Sequence, residues 1–216
     1  MAYWGGPDLV ESGIVASRPR PGGNVTGVDM LNTALDAKRL ELLLEAVPRA
    51  QKVAVLIHGG NRPGWENQLK PVRTMAELTG KSLELIDVGR DQTGYTEAFS
   101  AVRRLSADAL LVPSSPIFSR DRRIIIDLAA RHRIPAMFEL ASIAHDGGLM
   151  AYSASVSEMD RQVATLLEKV IKGAKPGDLP IEQPTKFEFA INLRTAKALG
   201  LTIPPSLLLR ADHVIE

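Results

Sequence analysis

The sequence predicts an α/β protein built on a doubly wound parallel sheet, with one complete lobe and a second lobe that is incomplete. Three observations carry this expectation. From Lys52 onward, short apolar β-type runs alternate with longer stretches of helical periodicity, the pattern of βαβ units. The length of 216 residues is long for one compact domain and short for two full α/β lobes. The flanking segments have apolar faces but no evident sheet of their own, and a strand needs neighbours for its backbone groups.

The elements follow in order. Lys52–Ile57 (KVAVLI) reads as a strand buried on both faces, and a Gly-rich turn leads to a helix over about Pro63–Thr79, with Trp65, Leu69, Val72 and Met75 on one side and Gly80 at its end. Ser82–Val88 is a second strand, and Asp91-Gln92-Thr93 opens a helix over Thr96–Leu105. Ala109–Val112 is the third strand, stopped by Pro113-Ser114-Ser115-Pro116, and Arg120–His132 is its helix. Ile134–Phe138 is the fourth strand. A short segment, Ala141–Asp146, then passes through Gly147-Gly148 into Leu149–Ser153, the fifth. These five strands predict a flavodoxin-like order.

The flanks read differently. Val25–Met30 has strand character, Ala34–Val47 is a helix striped by Leu35, Leu40, Leu43 and Leu44, and Val156–Lys172 is a long helix. A linker at Gly173–Gly177 precedes an extended run, Lys186–Ile191, a helix over Leu193–Leu199 and a short tail past Pro204-Pro205. The resulting division is residues 1–49 as the remnant of an N-terminal lobe, 50–154 as a complete ligand-binding lobe, and 155–216 as a hinge helix and a segment returning to the N-terminal lobe.

Composition narrows the function. Apolar residues make up 45% and charged residues 24%, which suits a chain with a buried core. Lys plus Arg number 26 against 25 for Asp plus Glu, so no net field draws the chain toward nucleic acid or an anionic membrane. The absence of cysteine removes disulfides, thiolate metal sites and thiol nucleophiles. The first residues lack the basic and apolar regions of an export signal, and no stretch reaches the roughly 18 apolar residues of a membrane span.

In open α/β sheets, ligands bind at the carboxyl ends of the strands, where helix N-termini and free backbone N–H groups point. The loops in that position are His58-Gly59-Gly60-Asn61, Gly89-Arg90-Asp91, Ser114 to Phe118, Glu139 to Ser142, and Tyr152 to Ser155. His58-Gly59-Gly60-Asn61 matches neither dinucleotide nor phosphate-loop spacing, and a tight βα turn explains its glycines equally well. Ser114 and Ser115 are either helix caps or ligand donors, with capping the simpler reading. No catalytic constellation is present: Ser114 lies in V-P-S-S-P rather than in a nucleophile elbow, and the four histidines are scattered without metal-ligand spacing. His132, between Arg131 and Arg133, reads as a solvated helix end. Arg120, Arg122 and Arg123 either hold an acidic ligand group or form a charged, exposed first turn.

Several blocks resemble a known family. These are Arg20-Pro21-Gly22-Gly23-Asn24-Val25-Thr26-Gly27, Lys38-Arg39-Leu40-Glu41-Leu42-Leu43, Gly147-Gly148-Leu149-Met150-Ala151-Tyr152 and, above all, the run from Leu179-Pro180-Ile181-Glu182-Gln183-Pro184 through Asn192-Leu193-Arg194-Thr195-Ala196 to Ile203-Pro204-Pro205. They are similar to the solute-binding proteins of ABC importers related to the tryptophan- and tyrosine-binding TrpX group, which have a type I periplasmic-binding fold. The likeness extends over nearly the whole chain.

The resemblance implies a protein that clamps a small solute, an amino acid or related small acid, in a cleft between two lobes, without chemistry and without a cofactor. It implies ABC permease subunits as partners of the full-length protein, no nucleic acid, and a periplasmic or extracytoplasmic location. On the family pattern this chain starts late, so it is expected to bind weakly and to form a homodimer through the incomplete lobe. The positions that match ligand-facing loops are His58, Gly59, Gly60, Asn61, Ser114, Ser115, Phe118, Glu139 and Tyr152. Two departures leave the solute open: many relatives have an Asn-Pro type turn at His58-Gly59 and an Asp-containing turn at Ser114-Ser115. The alternatives are an effector-binding lobe of a transcription regulator, which would bring a helix-turn-helix and a basic face, and a flavodoxin-like enzyme, which would need a phosphate loop.

Overall fold

A computed structural model describes residues 2–5, 9–10, 12–59, 63–89 and 92–216. The chain divides into two compact units, one of residues 1–32 and 154–187 and a larger one of 33–153 and 188–216, so it passes between them at 32–33, 153–154 and 187–188.

In the smaller unit, strands β1 (Ala2–Gly5), β2 (Thr26–Asp29) and β8 (Ile181–Glu182) form a three-stranded sheet in the order β1-β2-β8, all parallel. The flanks therefore do have a sheet of their own, contrary to the expectation from sequence. Its strands are two to four residues long and come from both ends of the chain, too short for a periodic signal. Helix α7 (Val156–Ile171) packs on β1 and β2 and buries Met159 and Leu166 against Val28 and Met30. Arg18 donates to Asp29 from Nε at 3.2 Å and Nη2 at 3.0 Å. Thr26 Oγ1 donates to the carbonyls of Leu179 and Pro180, each at 3.2 Å, and so ties β2 to the segment entering β8.

The larger unit is the doubly wound part. Its strands are β3 (Lys52–Ile57), β4 (Ser82–Asp87), β5 (Ala109–Leu111), β6 (Ala136–Phe138), β7 (Met150–Ala154, whose last residue belongs to the smaller unit), β9 (Phe187–Asn192, likewise from Glu188) and β10 (His213–Ile215). The sheet order is β10-β9-β7-β6-β5-β3-β4. From β4 to β7 every pairing is parallel, and the strands follow the flavodoxin-like order expected. Helices α2 (Pro63–Leu78), α3 (Gly94–Arg104), α4 (Pro116–Arg120), α5 (Arg122–His132) and α6 (Ala141–His145) connect them.

The sheet has seven strands rather than five. β9 lies beside β7 and runs against it, since Asn192 N–H donates to Leu149 O at 2.8 Å while Ser155 N–H donates to Lys186 O at 2.9 Å. β10 then pairs parallel with β9. The expected return of residues 155–216 to the first lobe thus stops at Phe187. The reason is burial: Phe189, Ala190, Ile191 and Asn192 are all buried, and such a strand needs partners on both edges.

Helix α1 (Asn32–Ala46) also leaves the division expected from sequence, which places it with residues 1–49. From Thr33 it belongs to the larger unit, because Leu40, Leu42 and Leu43 are fully buried in that unit's core. Ser206 Oγ and Arg210 Nη1, from the segment around helix α9 (Pro205–Leu208), donate to Glu45 of α1 at 2.9 and 2.8 Å. The helix expected over Arg120–His132 is divided into α4 and α5, with Asp121 between them at φ −92° and ψ 12°. His132 is not a solvated helix end: it is half-buried, its ring lies 5.6 Å from Phe99, and its Nδ1 is buried without a partner among the described residues.

Candidate functional site

The order β6-β5-β3 sets the carboxyl ends of these parallel strands side by side, and with them His58, Ser114-Ser115 and Glu139. Ser115 is the N-cap of α4: it is extended (φ −160°, ψ 134°), its Oγ accepts from Ile117 N–H at 3.2 Å, and Pro116 occupies the first helical position. The same Oγ lies 3.0 Å from His58 Nε2. Of the two readings open from sequence, helix cap or ligand donor, Ser115 meets the first, and its hydroxyl is shared with the His58 ring.

Ser114 does not cap the helix. Its hydroxyl donates a short hydrogen bond to Glu139 Oε1, while Ser119 Oγ donates to Glu139 Oε2 at 3.2 Å. Two serines, one before the cap of α4 and one within the helix, thus bracket one carboxylate that is only 7% exposed. Ser119 carries no motif, and only the helix that places it near Ser115 could point to it.

An aromatic group closes the His58 side. The His58 ring meets Trp65 edge-on at 5.1 Å and Phe118 at 5.5 Å, and Trp65 Nε1 donates to the His58 carbonyl at 3.1 Å. Gly59 follows at φ +69°, a left-handed conformation that suits glycine, and its N–H donates to Gly89 O at 3.0 Å, lacing the turn after β3 to the turn after β4. Gly60 and Asn61, also expected in the site, lie outside the described residues, as do Arg90 and Asp91.

Tyr152 stands within β7 rather than in a loop, half-buried, with its ring 6.3 Å from that of Phe189. Burial pushes its hydroxyl pKa up. It joins the others through its backbone: Arg39 Nε donates to Tyr152 O at 2.7 Å, Arg39 Nη1 to Asp36 Oδ1 at 2.6 Å, and Asp36 Oδ1 accepts Ser114 N–H at 3.2 Å. Gln68 Nε2 completes the network, donating to Asp36 Oδ2 at 2.7 Å and to Ser114 O at 2.9 Å. Burial pushes the Asp36 carboxyl up, and the adjacent guanidinium is the foremost opposing influence. The signal for this network was present in α1 as an aspartate and an arginine three residues apart amid leucines, a spacing that normally marks a solvated pair.

Of the remaining charged candidates, Arg120 and Arg122 are committed elsewhere, and Arg123 is exposed. Arg120 forms a two-pronged pair with Asp121, both contacts at 2.8 Å, and Arg122 donates to Asp146 at 2.6 Å. Asp121 also accepts from Gln92 Nε2 at 2.7 Å and from the Tyr95 hydroxyl at 3.1 Å, and the Arg120 hydrogen bond holds its carboxyl below the usual range. His145 and His213, distant in sequence, bring their rings to 5.6 Å. Among the described residues no three His, Cys, Asp or Glu side chains gather as a metal site, and no helix is long and apolar enough to cross a membrane.

A buried carboxylate with two hydroxyl neighbours thus lies at the carboxyl edge of the parallel sheet, the edge at which open α/β sheets bind ligands. The sequence profile of one family, the ABC transporter substrate binding proteins, matches residues 3–215. The chain belongs to that family. It is 27% identical over 197 residues to the tyrosine-binding protein of Clostridioides difficile, a match that takes in 90% of this chain and 55% of that protein. The chain therefore spans about half the length of this curated relative. Solved structures share the fold. An ABC domain from Streptococcus pneumoniae in complex with L-Trp has a TM-score of 0.83 at 24% identity, with 96% of this chain and 70% of that one covered. A conserved domain protein of Vibrio cholerae has a TM-score of 0.85 at 21% identity, covering 96% and 68%. These structures share the α/β fold, with its mostly parallel sheet, on which the candidate site is built.

Proposed function

We propose that the protein is the solute-binding component of an ABC-type importer, that it acts outside the cytoplasm with permease subunits as partners, and that it holds an amino acid without performing chemistry on it. Family membership supports the class of function. The observation that carries the ligand reading is Glu139, a buried carboxylate bracketed by Ser114 and Ser119 at the end of β6. A carboxylate in that setting suits an ammonium group, to which it would give a charge-assisted hydrogen bond. The half-buried His58 ring, backed by the buried rings of Trp65 and Phe118, suits a planar side chain nearby. The tyrosine-binding relative and the L-Trp complex support an aromatic amino acid as the first solute to try.

The test is an NMR titration of the labelled protein with L-tryptophan, L-tyrosine and L-leucine, which detects weak as well as tight binding. The expected result is movement of the amide signals of Ser114, Ser115, Phe118 and Glu139, with Glu139→Gln weakening the response roughly tenfold or more. Movement of none of these signals with any amino acid, or an unchanged response in the Glu139→Gln variant, would overturn the reading.

A further inference from the structure

The geometry points to a second small-molecule site in the larger unit, away from the strand-end loops, that takes an amphipathic carboxylate such as a medium-chain fatty acid. A cavity of about 430 Å³ lies between α5, the start of β7 and helix α8 (Leu193–Leu199). Its volume is within the range of sites that enclose small ligands. Its walls are apolar, formed by Ile126, Ala129, Phe138, Leu149 and Leu199 among others, and no acidic residue lines it.

Two arginines border this apolar space, Arg133 and Arg194. Both are exposed, and neither side chain has an ion pair or hydrogen bond among the described residues. Arg194 stands in the first turn of α8, the end of a helix where a cation gains nothing from the backbone dipole. Arg133 closes α5 in a left-handed conformation at φ +49°, which fixes the point from which its side chain leaves the backbone. Two unpaired cations beside an uncharged, apolar wall complement a ligand with one anionic end and a hydrocarbon body.

The surroundings are held in place without a ligand. Thr195 Oγ1 donates to Gly147 O at 2.9 Å and Asn192 Nδ2 to Ala144 O at 2.9 Å, so the start of α8 is fastened to the turn that leads into β7. A site already formed loses little conformational freedom on binding. None of its lining residues belongs to the strand-end site, so the inference stands independently of the amino-acid reading.

The experiment titrates the full chain with decanoate, 1-decanol and decylamine by NMR, with L-tryptophan in a parallel sample. Decanoate is expected to move the amide signals of Ala129, Ala130, Gly148 and Thr195 and to leave those of Ser114 and Glu139 in place. The double variant Arg133→Gln/Arg194→Gln, at two exposed positions, is expected to weaken decanoate about tenfold while leaving decanol unchanged. Ala198→Trp, at an exposed position on the cavity wall, is expected to abolish both. The proposal fails if decanoate moves none of the cavity signals, if it acts only at the strand-end loops, or if the double variant binds it as tightly as the parent. L-tryptophan reads a different set of amides, so failure of either site leaves the other result legible.

Discussion

The guanidinium of Arg39 lies 2.6 Å from the carboxylate of Asp36, one turn earlier on the same helix, and the two side chains are only 1% and 0% exposed. Because Asp36 also accepts from Ser114 N–H, this pair sets the backbone position from which the Ser114 hydroxyl reaches Glu139. Arg39, through the Tyr152 carbonyl, fixes the neighbouring strand as well.

Asp36→Asn leaves the Arg39 charge buried without its counter-ion and is expected to cost about 3–5 kcal/mol, read as a lower urea midpoint at constant m-value. The double variant Asp36→Leu/Arg39→Met removes both charges and is expected to recover most of that loss. If the two variants unfold at the same midpoint, the charge pair is not what the first substitution disturbs.

Ser115→Ala removes an N-cap and the hydroxyl beside His58. The expected cost is about 1 kcal/mol, and Ser115→Asp, which can still cap, is expected to retain most of the stability. Thermal unfolding distinguishes the two, and equal melting temperatures would show that the cap at α4 carries no weight.

Gly177→Ala tests the smaller unit. A Cβ at this position would come within 2.5 Å of the Gly23 carbonyl, a backbone atom, and the adjacent strap is closed by Gly22 N–H donating to Gly177 O at 3.1 Å. Backbone must shift to admit the methyl group, so a loss of about 1–3 kcal/mol is expected. Hydrogen exchange should show faster exchange at Gly22 and around β8, with the seven-stranded sheet unaffected.

Asp108 accepts the N–H groups of Gln51 at 2.8 Å and Lys52 at 2.9 Å, and these bonds hold its carboxyl below the ordinary aspartate range. A folded-state pKa that is depressed adds stability that is complete above the unfolded value, near about 4, and is lost as the pH falls through the folded value. Asp108→Asn is therefore expected to melt below the parent at neutral pH, with the gap closing as the solution is acidified past that point. A gap that stays constant down to the acid transition would contradict this origin.

The sequence by itself determined the βα units of the larger sheet, because the signal for each is local. KVAVLI is an uninterrupted apolar run, the prolines at 113 and 116 stop a strand, and Gly80 marks a helix end. It also determined which loops lie at the carboxyl edge, since parallel strands all end on the same side of their sheet. Only the tertiary structure decided that β9 and β10 extend this sheet, that residues 2–5, 26–29 and 181–182 form another, and that Asp36 and Arg39 are interior. Those outcomes depend on hydrogen bonds and burial between residues far apart in sequence, such as Asn192 with Leu149 or Arg39 with Tyr152. A periodic pattern records which side of a segment is apolar, but not which distant backbone will satisfy its edge.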